Sequence, residues 1–228
     1  MPLAVKSRSK KSGAASKAKA RLEPIRDAER TQLMILNAAE VEFADKGLAG
    51  ARVDVIAEQA TANKRMLYYY FGSKEALYIA VLERAYIAMR QAERELKLTD
   101  LEPLDAIKRL VDFKFDYCQA HPTLIPLLSG ENMLGAKYLK RSRKLRDMHL
   151  SLVEVIRKVL EAGVTKGVIR PGIDPLHLYV SMSAESYFYF SNAATLSSAF
   201  GRSLLSDAEQ LQRRKHCVEV ILAFVRAK

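Results

Sequence analysis

The chain has 228 residues, of which 49% are hydrophobic and 28% charged, and its formal net charge is +11. This length can bury a hydrophobic core either as one large domain or as a small domain joined to a larger one. Two cysteines, Cys118 and Cys217, are too few for a disulfide framework and form no zinc-binding motif. Because the sequence has neither an 18-residue uncharged apolar run nor an apolar export segment at its N-terminus, we expect a cytoplasmic protein without membrane spans.

Residues 1–26 are predicted to form a disordered basic arm. Seven Lys or Arg residues precede the first acidic residue, Glu23, and little in this segment could be buried. The arm could supply non-specific attraction to phosphates, or it could enter the minor groove of DNA. Since most of the excess positive charge lies here, the net charge of the whole chain is weak evidence for a nucleic-acid partner.

Three short helices are predicted after the arm, over residues 27–46, 53–60 and 64–71. Apolar residues recur at helical spacing in the first two, and we expect them to pack around Leu67 of the third helix as a three-helix head. Gly47 suits the end of the first helix, and a tight turn separates the other two. The expected packing residues are Ile35, Leu36, Ala39 and Phe43 in the first helix, and Val53, Ile56, Ala57 and Ala60 in the second.

The third predicted helix has two faces of opposite character. Asn63 precedes it as an N-cap, and Leu67 and Phe71 can face the interior of the head. The other side carries two i,i+4 pairs, Lys64 with Tyr68 and Arg65 with Tyr69. Two short helices with a tight turn and a basic, aromatic outer face are what a helix-turn-helix protein needs to read the major groove. The pattern therefore predicts a DNA-binding head.

A dense run of motifs lies between about residues 32 and 83: ILNAAEVEFADKG in the first helix, IAEQA in the second, LYYYF in the third, and the GSKEAL that follows. In these motifs the chain resembles the TetR family of bacterial transcriptional regulators. The resemblance implies a DNA-binding domain over residues 27–74 and an effector-binding and dimerisation domain over residues 75–228. Within the family, SKEALYIAVL and IDPLHL most resemble the RutR-like branch of pyrimidine-utilisation regulators. The chain departs from the family pattern at Thr61, where Gly is usual, and at Arg65 and Met66, where a small residue and Thr are common.

The resemblance implies that the third helix and its flanks contact DNA. Lys64, Arg65 and Tyr68 are expected closest to base edges, because Lys or Arg can reach guanine O6 and N7. Tyr69, Tyr70 and Lys74 are expected to position the head on phosphates, although Tyr70 could instead pack beside Leu67 and Arg52 could be merely exposed. The full expected set is Arg52, Asn63, Lys64, Arg65, Tyr68, Tyr69, Tyr70 and Lys74.

Six further helices are predicted, which makes an all-α chain of about nine helices. They cover residues 73–96, 103–121, 122–133, 136–165, 175–199 and 206 onward. Ser73 and Asp174 are predicted N-caps, and Ser206 with Glu209 is predicted to form a capping box. The segment from Lys137 to Arg146 is strongly basic, either as a solvated face or as a second DNA-binding face.

The last two predicted helices carry more apolar surface than one packing face requires. In TetR-like proteins these helices form a four-helix dimer interface, which implies a homodimer here. Polar residues interrupt the apolar helix over 175–199, and they could meet a small-molecule effector or satisfy hydrogen bonds between helices. The candidate effector contacts are Ser183, Glu185, Tyr187, Tyr189 and Asn192.

The sequence thus predicts a ligand-responsive repressor that binds a palindromic operator as a homodimer. Its partners would be double-stranded DNA, a second copy of the chain and an effector of unknown identity, with no cofactor. The four histidines are scattered and no Gly-rich phosphate loop occurs, so we expect neither an enzyme nor a metal site. The alternative is a helical protein–protein adaptor that binds DNA only non-specifically.

Overall fold

A computed structural model describes the backbone of residues 12–227, and the side chains of that range except residues 12–26 and 143–149. Within the described range the chain forms ten α-helices and two 3₁₀ turns, and its only extended pairing is one bridge between Ile169 and Arg226. The all-α prediction is confirmed. No helix in the described part of the chain is long and apolar enough to cross a membrane.

The helices follow one another with short connections. The first five are α1 (Ser12–Gly50), α2 (Val53–Gln59), α3 (Lys64–Phe71), α4 (Lys74–Glu95) and α5 (Pro103–Ala120). The remaining five are α6 (Leu124–Met133), α7 (Arg143–Thr165), α8 (Pro175–Ser191), α9 (Ala193–Phe200) and α10 (Asp207–Val225). The 3₁₀ turns, Leu98–Asp100 and Leu139–Arg141, precede α5 and α7.

The first helix begins earlier than predicted. Its backbone is helical from Ser12, so α1 includes residues 12–26 of the expected arm, and the rest of that arm, residues 1–11, lies outside the described residues. The disorder of the arm stays a prediction. Ala, Lys and Arg dominate residues 14–21, and their high helix propensity lets α1 extend backwards. The predicted stop is confirmed, because Gly47 has φ 63° and ψ 175° and interrupts the regular helix.

Two predicted helices are divided in the structure. The predicted helix over 136–165 fails at its start, because Ala136 has φ 57° and Ser142 has an extended backbone, with φ −97° and ψ 106°. The buried Glu131 carboxylate accepts the N–H groups of Tyr138 and Leu139 at 3.1 and 3.0 Å and so anchors the turn Leu139–Arg141 to α6. The predicted helix over 175–199 divides at Asn192, whose side-chain amide donates to the Phe188 carbonyl at 3.0 Å.

Of the caps predicted for α4, α8 and α10, the first two are confirmed and the third is wrong. Ser73 accepts the Ala76 N–H at 3.0 Å, and Asp174 accepts the His177 N–H at 2.8 Å, which confirms both N-caps. The capping box at the start of α10 is wrong. Ser206 holds the N-cap position without a side-chain hydrogen bond, and the Glu209 carboxylate pairs with Arg202 instead.

The apolar side chains form two clusters. The head core is built from α1 to α4 together with Leu127 of α6 and Tyr138, and the predicted packing of the first helix against Ile56 and Leu67 is confirmed. The body core is built from α5, α7, α8 and α10 with Leu98. α4 contributes Leu77, Tyr78, Val81 and Leu82 to the head core and then extends towards the body.

Close packing of α7 against the following loop generates a stability prediction. A Cβ added at Gly163 would collide with Cδ1 of the buried Ile169 and lie 2.6 Å from its Cγ1 and 2.9 Å from its Cβ. We expect Gly163→Ala to lower the free energy of unfolding by about 1–3 kcal/mol, because the branched stem of Ile169 has no room to move. Urea denaturation measures this change.

The matched control is Gly130→Ala in α6, where the nearest atom to an added Cβ is the Tyr78 hydroxyl at 3.7 Å. There we expect unchanged or higher stability, because Ala has the higher helix propensity by up to about 1 kcal/mol. Equal effects of the two substitutions would contradict the proposed clash.

Candidate DNA-binding and effector sites

The start of α2 is fixed by α1. The buried Glu42 carboxylate accepts the Arg52 N–H at 2.9 Å. Arg52 holds the N-cap position of α2 but makes no side-chain capping hydrogen bond, so Glu42 satisfies a backbone donor at this end of the helix. The exposed Arg52 guanidinium instead pairs with Asp54 at 2.7 Å. Their hydrogen bond raises the pKa of Arg52 and lowers the pKa of Asp54. The helix-turn-helix unit is therefore anchored to the preceding helix through its backbone.

The turn between α2 and α3 is tight and partly strained. Thr61 has φ 50°, a left-handed conformation that β-branched residues rarely adopt. This is the position where the family pattern has Gly, and the structure gives the reason. Asn63 then caps α3, since its Oδ1 accepts the Arg65 N–H at 2.8 Å, which confirms the predicted cap.

The two predicted faces of α3 are confirmed. Leu67 is fully buried in the head core, and Phe71 is half-buried against it. On the opposite side Tyr68 and Tyr69 are 43% and 80% exposed. Lys64 and Arg65 are exposed beside them, and no ion pair within the described residues engages either one. This face presents two free cations and two phenol rings to solvent.

The flanking members of the expected DNA-binding set lie in more constrained positions. Tyr70 is half-buried, with its ring 5.3 Å from that of Tyr69 and packed against the head core. Lys74, also half-buried, donates from Nζ to the Ala49 carbonyl at 3.3 Å. Both residues therefore help hold α3 and the start of α4 on the head. Their expected contacts with phosphates stay predictions.

The polar residues expected to contact an effector have partners within the protein. Ser183 Oγ donates to the Tyr179 carbonyl at 2.8 Å, and the Tyr187 hydroxyl shares a 2.7 Å hydrogen bond with Ser129. Glu185 pairs with Arg213, the Tyr189 hydroxyl donates to the Leu204 carbonyl, and Asn192 closes the end of α8. These groups join α8 to its neighbours, and a role for them in effector binding stays a prediction.

Sequence reasoning missed a buried cluster of charged residues, which we call the ion cluster: Arg90, Glu93, Lys114 and Tyr179. Arg90 and Glu93 are each 3% exposed and Lys114 is 7% exposed. The Glu93 carboxylate pairs with Arg90 on one oxygen and with Lys114 at 3.4 Å on the other. Arg90 Nη2 also donates to the Tyr179 hydroxyl at 2.9 Å, and Lys114 Nζ lies 4.4 Å from the centre of that ring.

A signal for the ion cluster was present in α4. Tyr78, Leu82, Tyr86 and Arg90 follow one another at intervals of four residues, so Arg90 continues the buried stripe of the helix. Burial raises the pKa of the Tyr86 phenol, which keeps that ring neutral beside the charged groups. Charged side chains are normally exposed, and the body packed over Arg90 and Glu93 makes them interior residues.

A cleft of about 130 Å³ opens beside the ion cluster, between the end of α4, the turn Leu98–Asp100 and α7. Arg90 and Glu93 line its inner side, while Leu152 and Val155 of α7 supply apolar walls. Arg94 and Lys97 line it as well, and both side chains are exposed. Among the described residues no group of His, Cys, Asp and Glu could hold a metal ion.

A capped recognition helix with an exposed basic face, mounted on a separate helical body that contains a lined cleft, defines a one-component helix-turn-helix regulator. Comparison with known proteins specifies the family. The model of the bacterial regulatory proteins of the tetR family matches residues 35–81, and that of the tetracyclin repressor-like C-terminal domain matches residues 103–221. The chain belongs to the TetR family.

Individual relatives agree with this assignment. The chain is 42% identical to the transcriptional repressor NicS of Pseudomonas putida over 75% of this chain and 81% of that protein. It is 32% identical to the transcriptional regulator RutR of Escherichia coli over 85% of this chain and 90% of that protein. A Streptomyces coelicolor structure described as a transcriptional regulator has a TM-score of 0.66 at 27% identity, covering 86% and 98% of the two chains.

These relatives decide between the functions considered from the sequence. Curated relatives with high coverage are named as transcriptional repressors or regulators, so this protein is a DNA-binding transcriptional regulator and not an enzyme. The adaptor alternative is not favoured. RutR is among the relatives, as the sequence suggested, but NicS has the higher identity.

The strained turn generates a second prediction. We expect Thr61→Gly to raise the free energy of unfolding by about 0.5–1 kcal/mol, because relief of the left-handed strain exceeds the entropy that Gly loses on folding. Thr61→Ala is the control, since Ala keeps a Cβ and thus most of the strain. Urea denaturation of the three proteins gives the comparison, and an equal gain for Ala and Gly would contradict this explanation.

Proposed function

We propose that the protein is a homodimeric, ligand-responsive repressor that reads an inverted-repeat operator with α3 of each subunit. The observation that carries this proposal is the α3 face itself, where Lys64, Arg65, Tyr68 and Tyr69 lie exposed opposite the buried Leu67. Two copies related by a two-fold axis require a pseudo-palindromic site. The name of the relative NicS supports repression as the direction of control.

We propose that some residues of the DNA-binding set contact bases and that others contact phosphates. Lys64, Arg65 and Tyr68 would meet base edges in the major groove, where Lys and Arg favour guanine. Tyr69 and Lys74 would position the head on phosphates, with Lys74 at the positive end of α4. The remaining members would contact DNA in addition to their structural roles. Arg52 forms an ion pair, Asn63 caps α3 and Tyr70 packs against the head core.

The dimer is proposed to form through α8 and α10. Leu176, Val180 and Phe188 are exposed along one stripe of α8, because they lie at multiples of four residues. Val220 and Phe224 form a similar exposed pair on α10. Apolar side chains grouped in this way usually mark a contact with another protein. A self-complementary patch is also what a two-fold dimer requires.

α4 and α6 are proposed to carry the signal between an effector in the body, over residues 75–228, and the DNA-binding domain over residues 27–74. α4 extends from Tyr78 in the head core to Glu93 in the ion cluster. Near the start of α6, Thr123 donates to Glu40 of α1 at 2.6 Å. Arg84 of α4 pairs with the same carboxylate. An effector with different affinities for two dimer states needs a coupling of only about 1–3 kcal/mol to release DNA.

The decisive experiment is the selection of bound duplexes from a random pool at fixed, near-physiological salt. Affinity for the best duplex is then compared with affinity for unrelated DNA, since phosphate contacts alone bind every sequence and weaken with salt. An enriched inverted repeat supports the proposal. A folded dimer that enriches no sequence would support the adaptor instead.

Because operator DNA of a bacterial regulator lies in the cytoplasm, we propose that the protein is located there.

Substitution of the α3 cations tests the recognition face. We expect Lys64→Ala and Arg65→Ala each to lose about 1–3 kcal/mol of operator binding and to relax preference at one base pair. Fluorescence anisotropy with the selected duplex and its single-base variants measures both effects. Lys158→Ala, an exposed cation of α7, is the control and should bind as the unchanged protein does. Unchanged binding by both α3 variants would refute the assignment.

Substitutions on α8 and α10 test the proposed dimer surface. We expect Phe188→Glu combined with Val220→Glu to produce monomers and to weaken operator binding strongly, because two charges would be buried at the centre of the proposed interface. Sedimentation equilibrium gives the oligomeric state. Val41→Glu introduces a charge at an exposed apolar residue of α1 and should leave the dimer intact. Persistence of the dimer in the double variant would place the interface elsewhere.

A further inference from the structure

The ion cluster contains more positive than negative charge. Arg90 and Lys114 share one carboxylate, that of Glu93, and all three side chains are nine-tenths or more buried. Buried charges are stable only when they are paired and hydrogen-bonded. Glu131, the other deeply buried carboxylate near this region, accepts two backbone N–H groups and makes no ion pair with a described residue. Among the side chains that the structure describes, one positive charge therefore remains without a direct counter-charge.

Arg90 also has an unused hydrogen-bond donor. Its Nη1 donates to Glu93 and its Nη2 donates to Tyr179, but its buried Nε–H has no acceptor among the described residues. A guanidinium is most strongly bound when its donors are matched by oxygen acceptors. An acceptor from outside the chain would satisfy this donor and the excess charge together.

The cleft beside Arg90 limits the size and chemistry of such an acceptor. Its volume of about 130 Å³ is close to the roughly 150 Å³ of an apolar cavity that can hold benzene. Arg94 and Lys97 add positive charge to its lining, where Glu93 is the one acidic residue among those whose side chains are described. The apolar walls formed by Leu98, Leu152 and Val155 favour a molecule with a hydrocarbon portion over an inorganic anion.

We infer that the effector of this regulator is a compact organic carboxylate, held by Arg90 at the inner end of the cleft between α4 and α7. The inference rests on the proposed function, because it names the chemical class of the ligand that would control DNA binding. The carboxylate would accept from Arg90 and balance the excess charge that Arg90 and Lys114 leave. Its hydrocarbon portion would contact Leu152 and Val155.

The position of this site explains how a bound carboxylate would affect the DNA-binding head. Arg90 belongs to α4, Lys114 to α5 and Tyr179 to α8, so a bound carboxylate would change the balance of contacts among three helices. Loss or gain of an ion pair at Arg90 would shift the end of α4. The other end of this helix supplies Leu77 and Tyr78 to the head core.

The test uses the full-length, DNA-free protein and three pairs of probes at constant ionic strength. The acids are acetate, butyrate and benzoate, and each is compared with its neutral amide; phosphate and uracil are added as an inorganic anion and a neutral ring. Calorimetry and thermal denaturation measure binding. We expect benzoate or butyrate to bind at least about tenfold more tightly than its amide and than phosphate, since charge-assisted hydrogen bonds are the strong ones.

Three variants separate a ligand contact from a structural role. Arg90→Gln should weaken carboxylate binding about tenfold or more, whereas Glu93→Gln should strengthen it several-fold, because it removes the competing carboxylate. Both variants lose the same buried ion pair, so damage to the fold would weaken binding in both. Arg214→Gln removes an arginine paired with Asp112 and Asp116 and should not change carboxylate binding.

Several outcomes would overturn the inference. These are an absence of binding by all three carboxylates, equal binding of acid and amide, tighter binding of phosphate or uracil, or changes of the same sign in Arg90→Gln and Glu93→Gln. The proposed function is tested separately by the selection of duplexes. A protein that selects an inverted repeat but binds no carboxylate would retain its function and refute only this inference, whereas carboxylate binding without sequence-specific DNA binding would refute the function.

Discussion

α4 is the constraint on which the rest of the structure depends, because its two ends lie in different environments. One end is fixed in the head core by Leu77, Tyr78, Val81 and Leu82. Its other end places Arg90 and Glu93 among the helices of the body. At about 1.5 Å per residue, its 22 residues extend roughly 33 Å. A continuous hydrogen-bonded helix of this length is stiff, so α4 links the ion cluster to the head core as one element.

Stability alone does not account for the ion cluster. Removing three charged groups from water is costly, and a well-packed apolar replacement of a buried ion pair is often as stable or more stable. Such a cluster is more easily explained by a function that needs charge inside the body. Tyr179 moderates the cost, since its hydroxyl accepts from Arg90 and its ring lies 4.4 Å from the Lys114 ammonium. The arrangement thus keeps the cations in place while leaving one donor of Arg90 unused.

The exposed surfaces of α3 and α8 differ in their chemistry. On α3 four of the five exposed residues are cationic or aromatic, which suits phosphates and base edges, whereas the exposed apolar stripe of α8 is aliphatic and aromatic without charge. The two surfaces therefore call for different partners, DNA and a second subunit. One of the three described non-Gly residues with positive φ lies in the DNA-binding unit, where Thr61 adopts a left-handed conformation in the turn between α2 and α3 at the cost of some stability.

The sequence by itself determined the features that depend on local chemistry. The period of the apolar residues specified the first helices, the caps at Asn63, Ser73 and Asp174 could be read directly, and the motifs of the head were dense enough to indicate the family. The α3 face was also readable, because one buried residue, Leu67, fixes which side of a short helix points outward.

Tertiary structure alone decided what depends on contacts between distant segments. The Glu131 carboxylate anchors the turn Leu139–Arg141 to α6 where a continuous helix was predicted, and Arg202 takes the carboxylate that would have completed a capping box. The ion cluster joins residues from three helices, so the spacing within α4 could mark Arg90 as part of a buried stripe but could not identify its partners Lys114 and Tyr179. A charged side chain is normally exposed, and only the packing of α5 and α8 over α4 makes Arg90 and Glu93 interior residues.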